Sequence, residues 1–562
     1  VTDQKIPTQM PNNGLEGQVG LRYNTGSDEK LASAGVTAAI GDQFALRVEG
    51  SKRKANDYIT PNYWVEHHDD EAGHEDHDHD DEGTHLDKAR RVDNTFAEGQ
   101  TVNIGGSWIH DRGFVGVSYS NRQDKYGLPG HSHEYHDCHP HGNKLHCGSH
   151  DPAPQPDPHD EHEHAHGGPW VDLESHRYDL RTELDQPFAG FDKLRAHASF
   201  TDYEHDEMEE NKVISNFKSK GYDARLELVH KPLAGWEGVF GTQYSQQKID
   251  LTGQVEQHGN HSHETVPMPD TKTQKYSLFG LEHKQFGDVH VELGARVEHQ
   301  KIDVDAQKKD YSDTGVSASA AANWQFAPNY KLSLTGSHQQ RLPLAQELYA
   351  NGIHFATNTY ERGNANLDVE KSNNLELGLH YEADKFDYSL HVYHNWFDNY
   401  IYGQAQGARN EEGFLELEYT QDKAKFYGTE AKLGYQLSPD YKLSVFGDYV
   451  RGEIDNQNAP RVPAGRLGAK VDANFADGWS GMAEYYRVFK QDKVAYLEQE
   501  TAGYNMVDVG VAYAGNYANK QDYRVYFKAN NLLDDEVYSH TSFLSNIPQV
   551  GRNFTVGVEF GF

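Results

Sequence analysis

Two cysteines in 562 residues are too few for a disulfide framework, so the fold must be held by other means. No apolar run approaches the roughly 18 residues that a membrane-spanning helix needs, which excludes a helical membrane protein. The apolar share is only 36% and mean hydropathy is −0.86. Read alone, these values describe a soluble chain of several domains. Positive charge is scarce: 52 Lys and Arg stand against 87 Asp and Glu, a net charge of −35. That balance argues against nucleic acid as a partner. No signal peptide is legible, so an exported protein is met here in mature or trimmed form. No nucleophile–base arrangement and no phosphate-cradling glycine loop is legible either, and no enzyme activity is expected.

Aromatic residues are the first positive signal. The chain holds 34 Tyr, 24 Phe and 7 Trp, together with 52 Gly. Glycine and aromatics spread over many short runs suit a large all-β protein. In Val289-His-Val-Glu-Leu-Gly-Ala-Arg-Val-Glu298, the apolar Val289, Val291, Leu293, Ala295 and Val297 share one face. His290, Glu292, Gly294, Arg296 and Glu298 share the other. This period-two alternation marks a strand with one apolar face. Residues 44–49 and 331–336 behave likewise. A soluble sandwich turns the polar face to water, whereas a membrane barrel turns it to the lumen and gives the apolar face to lipid. Hydropathy averages miss the second case, because only every other residue meets lipid.

Connection lengths decide between the two. Compact turns recur near 41–43, 110–113, 186–192, 231–236, 285–288, 326–330, 382–386, 437–441, 475–479 and 514–520. Between them lie longer, uneven connections near 25–30, 59–95, 125–172, 206–217, 252–270, 304–316, 342–370, 401–423, 456–462, 492–504 and 532–550. Twenty-one connections join 22 strands, and short alternates with long throughout. Outer-membrane barrels have short periplasmic turns at one end and long external loops at the other. The expected fold is all-β: a 22-stranded antiparallel transmembrane β-barrel over residues 14–562, in a bacterial outer membrane. The last residues, 553–562, place Phe554, Val556, Val558, Phe560 and Phe562 on one face. A terminal Phe on an alternating strand resembles the end of bacterial outer-membrane barrels. A barrel of this width is not filled by its own side chains, and 22-stranded barrels are plugged transporters. Residues 1–13 read as the remnant of a plug–barrel linker. A plug domain is expected upstream; an open pore is the alternative.

Two stretches carry a family resemblance. One is Asn530-Asn-Leu-Leu-Asp-Asp-Glu-Val-Tyr538 with Pro548-Gln-Val-Gly-Arg552. The other is Gln340-Arg-Leu-Pro-Leu-Ala-Gln-Glu-Leu-Tyr349, continued by Gly363-Asn-Ala-Asn-Leu367, Glu370 and Ser372. In this order they resemble the barrel of TonB-dependent receptors. Asp202-Tyr-Glu-His-Asp-Glu207, Gly352-Ile-His-Phe-Ala-Thr-Asn-Thr359 and the histidine-rich loops resemble the zinc receptors of the ZnuD type within that family. The resemblance implies a monomeric receptor set in outer-membrane lipid and lipopolysaccharide. It implies zinc as the substrate, and the TonB–ExbB–ExbD complex as the energy source, acting through the plug.

Histidine is where composition departs furthest from the ordinary. Of 34 histidines, 20 fall in three long connections. Loop 59–95 holds His67, His68, His74, His77, His79 and His85. Loop 125–172 holds His131, His133, His136, His139, His141, His146, His150, His159, His162, His164 and His166. Loop 252–270 holds His258, His261 and His263. His74–His85 reads HEDHDHDDEGTH, four imidazoles and six carboxylates in twelve residues. By the alternation of connections, all three loops open on the external side. Imidazole suits Zn, Cu and Ni, and carboxylates complete the ligand set. No ligand spacing is fixed, so weak, adaptable, multiple sites are expected, fading below about pH 6 as the imidazoles protonate. The bland alternative is a solvated acidic loop whose histidines are incidental. Affinity order alone favours copper over zinc, so zinc rests on the resemblance.

Cys138-His-Pro-His-Gly-Asn-Lys-Leu-His-Cys147 admits a disulfide that closes a small subloop, or a Cys/His zinc site. The disulfide is preferred, because an exported chain meets oxidants before metal. The resemblance also points to a better-defined site near the plug: His354, with His205 and Glu207 at a strand's outer end. Glu207 is the preferred partner of His354, ahead of Glu347 and Asp206. Zinc takes about four ligands, so the plug or water supplies the rest. Two other functions stay open: a haem receptor with His354 as an axial iron ligand, and a passive porin or adhesin that buffers metal at the surface.

Overall fold

Alternation becomes strand after strand. The structure, a computed structural model, is described over residues 5–67, 85–129, 138–141, 144–147, 168–209, 211–253, 255–258, 261–264, 267–305, 308–357, 359–409, 414–517 and 521–562. The wall is built from β1 (Leu15–Asn24), β2 (Glu29–Ile40), β3 (Phe44–Ala55), β4 (Ala97–His110), β5 (Gly113–Gly127), β6 (Trp170–Asp185), β7 (Phe191–Glu209) and β8 (Lys212–Leu233). It continues through β9 (Trp236–Gly253), β10 (Thr271–Phe286), β11 (Val289–Val304), β12 (Tyr311–Ala327), β13 (Tyr330–Arg341), β14 (Glu370–Glu382) and β15 (Phe386–Arg409). It ends with β16 (Leu415–Ser438), β17 (Tyr441–Ile454), β18 (Arg466–Ala476), β19 (Trp479–Val488), β20 (Tyr504–Tyr517), β21 (Gln521–Asn530) and β22 (Asn553–Gly561). Each strand pairs antiparallel with the next, and β22 pairs back onto β1 from Gln18↔Gly561 to Asn24↔Thr555. The sheet is therefore a closed, all-β, 22-stranded antiparallel barrel.

The ten compact turns lie where expected. Two connections are much shorter than expected. β7 runs on to Glu209 and β8 begins at Lys212, and β15 runs on to Arg409 and β16 begins at Leu415. The charged run from Asp206 looks like a loop in sequence. Beyond the bilayer, however, a strand needs no apolar outer face. Cross-strand pairs Glu204–Lys218 (3.0 Å) and Asp202–Lys220 (3.4 Å) serve there instead.

Exposure is inverted relative to a water-soluble fold. Leu278 is 67% exposed and Leu21 58%, while Arg47 is 8% exposed on the inner face. Aromatics frame the apolar band at both ends, as in membrane barrels. Trp108, Phe286, Trp324 and Trp479 lie near the turns, and Tyr23, Tyr178, Tyr222 and Tyr276 lie towards the loops. Tyr276 and Phe286 are ten residues apart on β10. At about 3.3 Å per residue and a tilt near 40°, that is a band about 25 Å tall, the height of an outer-membrane hydrocarbon core. The lumen face repeats an Arg-x-acid pattern: Arg47–Glu49 (2.7 Å), Arg177–Asp179 (2.8 Å), Arg225–Glu227 (2.6 Å) and Arg296–Glu298 (2.7 Å). Residues two apart share a face, so each strand neutralises its own lumen-facing cation.

Apolar packing gathers at the loop end. Leu348, Tyr349 and Leu367, from the connection after β13, pack with Met268, Ile302 and Ile401. Leu348 and Tyr349 are each 1% exposed. Burial at this level stabilises by about 2 kcal/mol per side chain. Three short hairpins, Ile59–His67 with His85–Arg91, Cys138–His141 with Lys144–Cys147, and Val255–His258 with His261–Glu264, sit in the three histidine-rich connections.

Candidate metal site at the loop end of the barrel

The connection from β13 to β14 carries His354. Its foot is an ion triad. Arg341 donates to Glu370 through Nε and Nη2 (both 3.0 Å) and to both oxygens of Glu347 through Nη1 (3.0 and 2.9 Å). Each carboxylate also accepts a backbone amide: Leu344 N–H donates to Glu347 (2.8 Å) and Ile401 N–H to Glu370 (2.8 Å). Glu347 thereby caps the short helix α1 (Ala345–Tyr349). The shared Arg-Leu-Pro and Gly-Asn-Ala-Asn-Leu motifs are thus structural. A Cβ on Gly363 would lie 2.5 Å from the Tyr349 amide nitrogen, so only glycine lets the returning chain approach α1.

Beyond α1, Asn351–His354 pairs antiparallel with Thr359–Arg362, which lies parallel to Leu415–Glu418 of β16. Gly352 stands opposite Glu361, and His354 opposite Thr359. His354 and Glu361 are therefore diagonal neighbours on one face. His354 Nδ1–H donates to Glu361 Oε1 at 2.9 Å. Gln346 Nε2 (2.6 Å) and Tyr419 OH (2.9 Å) donate to Glu361 Oε2. Burial alone would push the Glu361 carboxyl up; the bonds from His354, Gln346 and Tyr419 outweigh it and hold the group below the usual carboxylate range. The hydrogen bond to Glu361 raises the His354 imidazole above its usual 6.5, against partial burial, and the charges of Glu361 and Glu207 add to it. With Nδ1 engaged by a carboxylate, Nε2 carries the free lone pair. This is the arrangement that orients metal-ligating histidines.

His205 and Glu207 lie at the outer end of β7. They stand opposite Leu173 and Val171 of β6, which belong to a buried inner cluster, so both share the lumen face. The His205 ring stacks on Phe217 (5.0 Å between centroids), and its buried Nδ1 has no hydrogen-bond partner. Ser215 Oγ donates to Glu207 Oε2 at 2.6 Å. The structure thus gives His354 a hydrogen-bond partner, Glu361, that sequence reasoning did not nominate. Glu347 is occupied by Arg341, and Asp206 accepts from Asn216 on the opposite face of β7. Among the described residues, no three His, Cys, Asp or Glu side chains converge as a metal site.

Of the loop ligands, His68, His74, His77, His79, His131, His133, His136, His150, His159, His162, His164 and His166 lie outside the described residues. The backbone register sets His67 opposite His85, His139 opposite His146, and His258 opposite His261. It also sets Cys138 opposite Cys147 and His141 opposite Lys144.

A family model described as TonB dependent receptor-like, beta-barrel, matches residues 158–532. Among solved structures, the copper transporter OprC is similar at a TM-score of 0.75 and 14% identity, over 98% of this chain and 80% of that one. The FrpB iron transporter from Neisseria meningitidis (F3-3 variant) is similar at 0.70 and 12%, over 98% and 81%. A double mutant of the Serratia marcescens hemophore receptor HasR, in complex with its hemophore HasA and heme, is similar at 0.69 and 13%, over 100% and 82%. At these identities the likeness is one of fold.

Proposed function

From the premise that this chain belongs to the TonB-dependent receptor-like β-barrel family, a family of outer-membrane transporters and not of enzymes, we propose that its cargo is zinc. The observation that carries this reading is positional. Three histidine-rich connections and His354 all belong to the loop end of one barrel, where a cargo enters. Outer loops rich in imidazole and carboxylate concentrate the ion. His354, oriented by Glu361, offers Nε2 deeper in, and His205 and Glu207 face the same lumen. The set falls short of four ligands, and a plug or water completes it. Residues 5 and 6 fit a plug linker: Ile6 runs along the lumen wall, 2.3 Å from where a Cβ on Gly116 would lie. A nanomolar site holds its ion by about 12 kcal/mol, so release inward needs a conformational change driven through TonB–ExbB–ExbD.

Elemental analysis of the full receptor, purified with its plug under competing Zn, Cu and Ni, tests the cargo. Zinc is expected to dominate. Retention of copper alone would reassign it, as the ligand types and the likeness to a copper transporter allow. His354→Ala is expected to weaken zinc uptake at nanomolar supply. Haem is the second reading, favoured by the likeness to HasR and by a histidine with a free Nε2. A His354-dependent haem absorption band without zinc uptake would establish it. Uptake that ignores loss of TonB–ExbB–ExbD would point to a passive porin.

A further inference from the structure

The lumen wall carries a second histidine cluster, towards the turn end. Leu375 and Leu377 of β14 are exposed on the lipid face, so Glu376, Gly378 and His380 face the lumen. On β15 His391 stands opposite Gly378, and on β16 Glu430 stands opposite His391. Opposed residues share a face, so all of these lie on the lumen side. A Cβ on Gly378 would lie 3.0 Å from His391 Cε1 and 2.3 Å from Ser333 Oγ, so glycine leaves the room into which the imidazole leans. There His391 Nδ1–H donates to Glu376 Oε1 at 2.7 Å. The His380 ring meets the His391 ring edge-on, with 4.8 Å between centroids and 77° between planes.

His391 therefore repeats the arrangement at His354: Nδ1 is engaged by a carboxylate, and Nε2 keeps a free lone pair. Here, in addition, a second imidazole lies in contact. Among the described residues, no side-chain hydrogen bond or ion pair engages His380 or Glu430. Other lumen histidines differ. Both ring nitrogens of His290 are occupied, by Gln285 (3.2 Å) and Glu292 (3.3 Å). His197 lies between Asp179 (3.3 Å) and Asp223 (4.0 Å). Position gives the pair its meaning. His380 is ten residues along β14 from Glu370, at the foot of the connection that carries His354. At about 3.3 Å per residue and a tilt near 40°, that is about 25 Å further inward. Lys331 stands opposite His380, and Lys432 shares the face of Glu430 two residues on. Their charges oppose a bound dication and keep the site weak. A weak site suits an ion that must move on.

We propose that His380 and His391 form a low-affinity zinc station on the inner wall, which the ion meets after it leaves His354. Glu376 orients His391, and Glu430 and water complete the coordination. The station rests on the reading of zinc as cargo, and its test separates the two.

The probe is the zinc ion alone, given to the full receptor. Crystals soaked in zinc should show anomalous scattering at the zinc edge between the two rings, and the His380→Gln/His391→Gln double variant should lose that peak. In cells the double variant should take up zinc about 10-fold more slowly, the low end of what changes around a metal ligand cause. Chelator competition on the purified variant should find the nanomolar affinity at the loop end unchanged. His290→Gln, at a lumen histidine with both nitrogens occupied, should keep uptake. No zinc between the rings, or normal uptake by the double variant, would overturn the proposal. So would a parallel loss of the nanomolar affinity, which marks a structural role, or an equal loss of uptake in His290→Gln. The two failures are distinct: a wild-type receptor that takes up no zinc removes the cargo reading, whereas wild-type uptake matched by the double variant removes only the station.

Discussion

In the proposed site, the proton on His354 competes with the metal. The bond to Glu361 raises its pKa above 6.5, so the imidazolium–carboxylate pair is fully formed at low pH and is lost as pH rises through the raised value. Metal needs the neutral ring, so zinc affinity at this residue should begin to fall at a higher pH than for an ordinary histidine. Glu361→Gln removes the charge that holds the proton. The prediction is that the midpoint of zinc affinity against pH moves down in the variant, while affinity at pH 8 also drops because the ring loses its orienting partner. A metal site beside Glu361 typically loses about 10- to 100-fold on such a change. Competition titrations with a zinc chelator at several pH values would measure both effects. An unchanged midpoint would show that Glu361 does not set the protonation of His354. The sequence alone could not offer Glu361. It lies seven residues on, and only the Gly352-to-Glu361 register brings it across to His354. His354 itself was nominated by the family resemblance, not by its spacing.

At the level of elements, the motifs were legible and their purpose was not. Arg341, Glu347 and Glu370 read as family markers, yet they form a triad that fixes the connection carrying His354. Removing Arg341 leaves two buried carboxylates without their cation, at a cost of about 3 kcal/mol or more. Strand ends were less legible: the connection expected at 206–217 begins only after Glu209, because polar strands outside the bilayer lose the alternation that marks the rest. The hairpin Cys138–His141 with Lys144–Cys147 bears on the choice between disulfide and zinc site. Directly opposed residues have Cα atoms about 4.5–5.5 Å apart, within the range a disulfide spans. The preferred disulfide therefore needs no change of backbone register. The expected outcome is a mass two hydrogens lower before reduction than after, with no free thiol reacting until reductant is added. Two free thiols in protein from an oxidising compartment would return the zinc reading.

At the scale of the whole molecule, the decisive property is the separation of two ends. Every compact turn lies at one end and every histidine-rich connection at the other, because each strand crosses once and the crossings are even in number. Turn and loop lengths carry that alternation in the sequence, which is why the barrel could be counted without any structure. Lipid then fixes the depth, through an apolar band framed by aromatics at both ends. The orientation has a direct consequence for labelling. In a chain with Cys138→Ser and Cys147→Ser, Asp492→Cys lies in the connection between β19 and β20, and Asp440→Cys in the turn between β16 and β17. Both positions are solvent-exposed. On intact cells, a membrane-impermeant maleimide should modify the first and spare the second; opening the outer membrane should make both react. If only Asp440→Cys reacts in intact cells, the loops do not face the medium. Histidines gathered there would then have no external ion to collect, whatever their affinity for it.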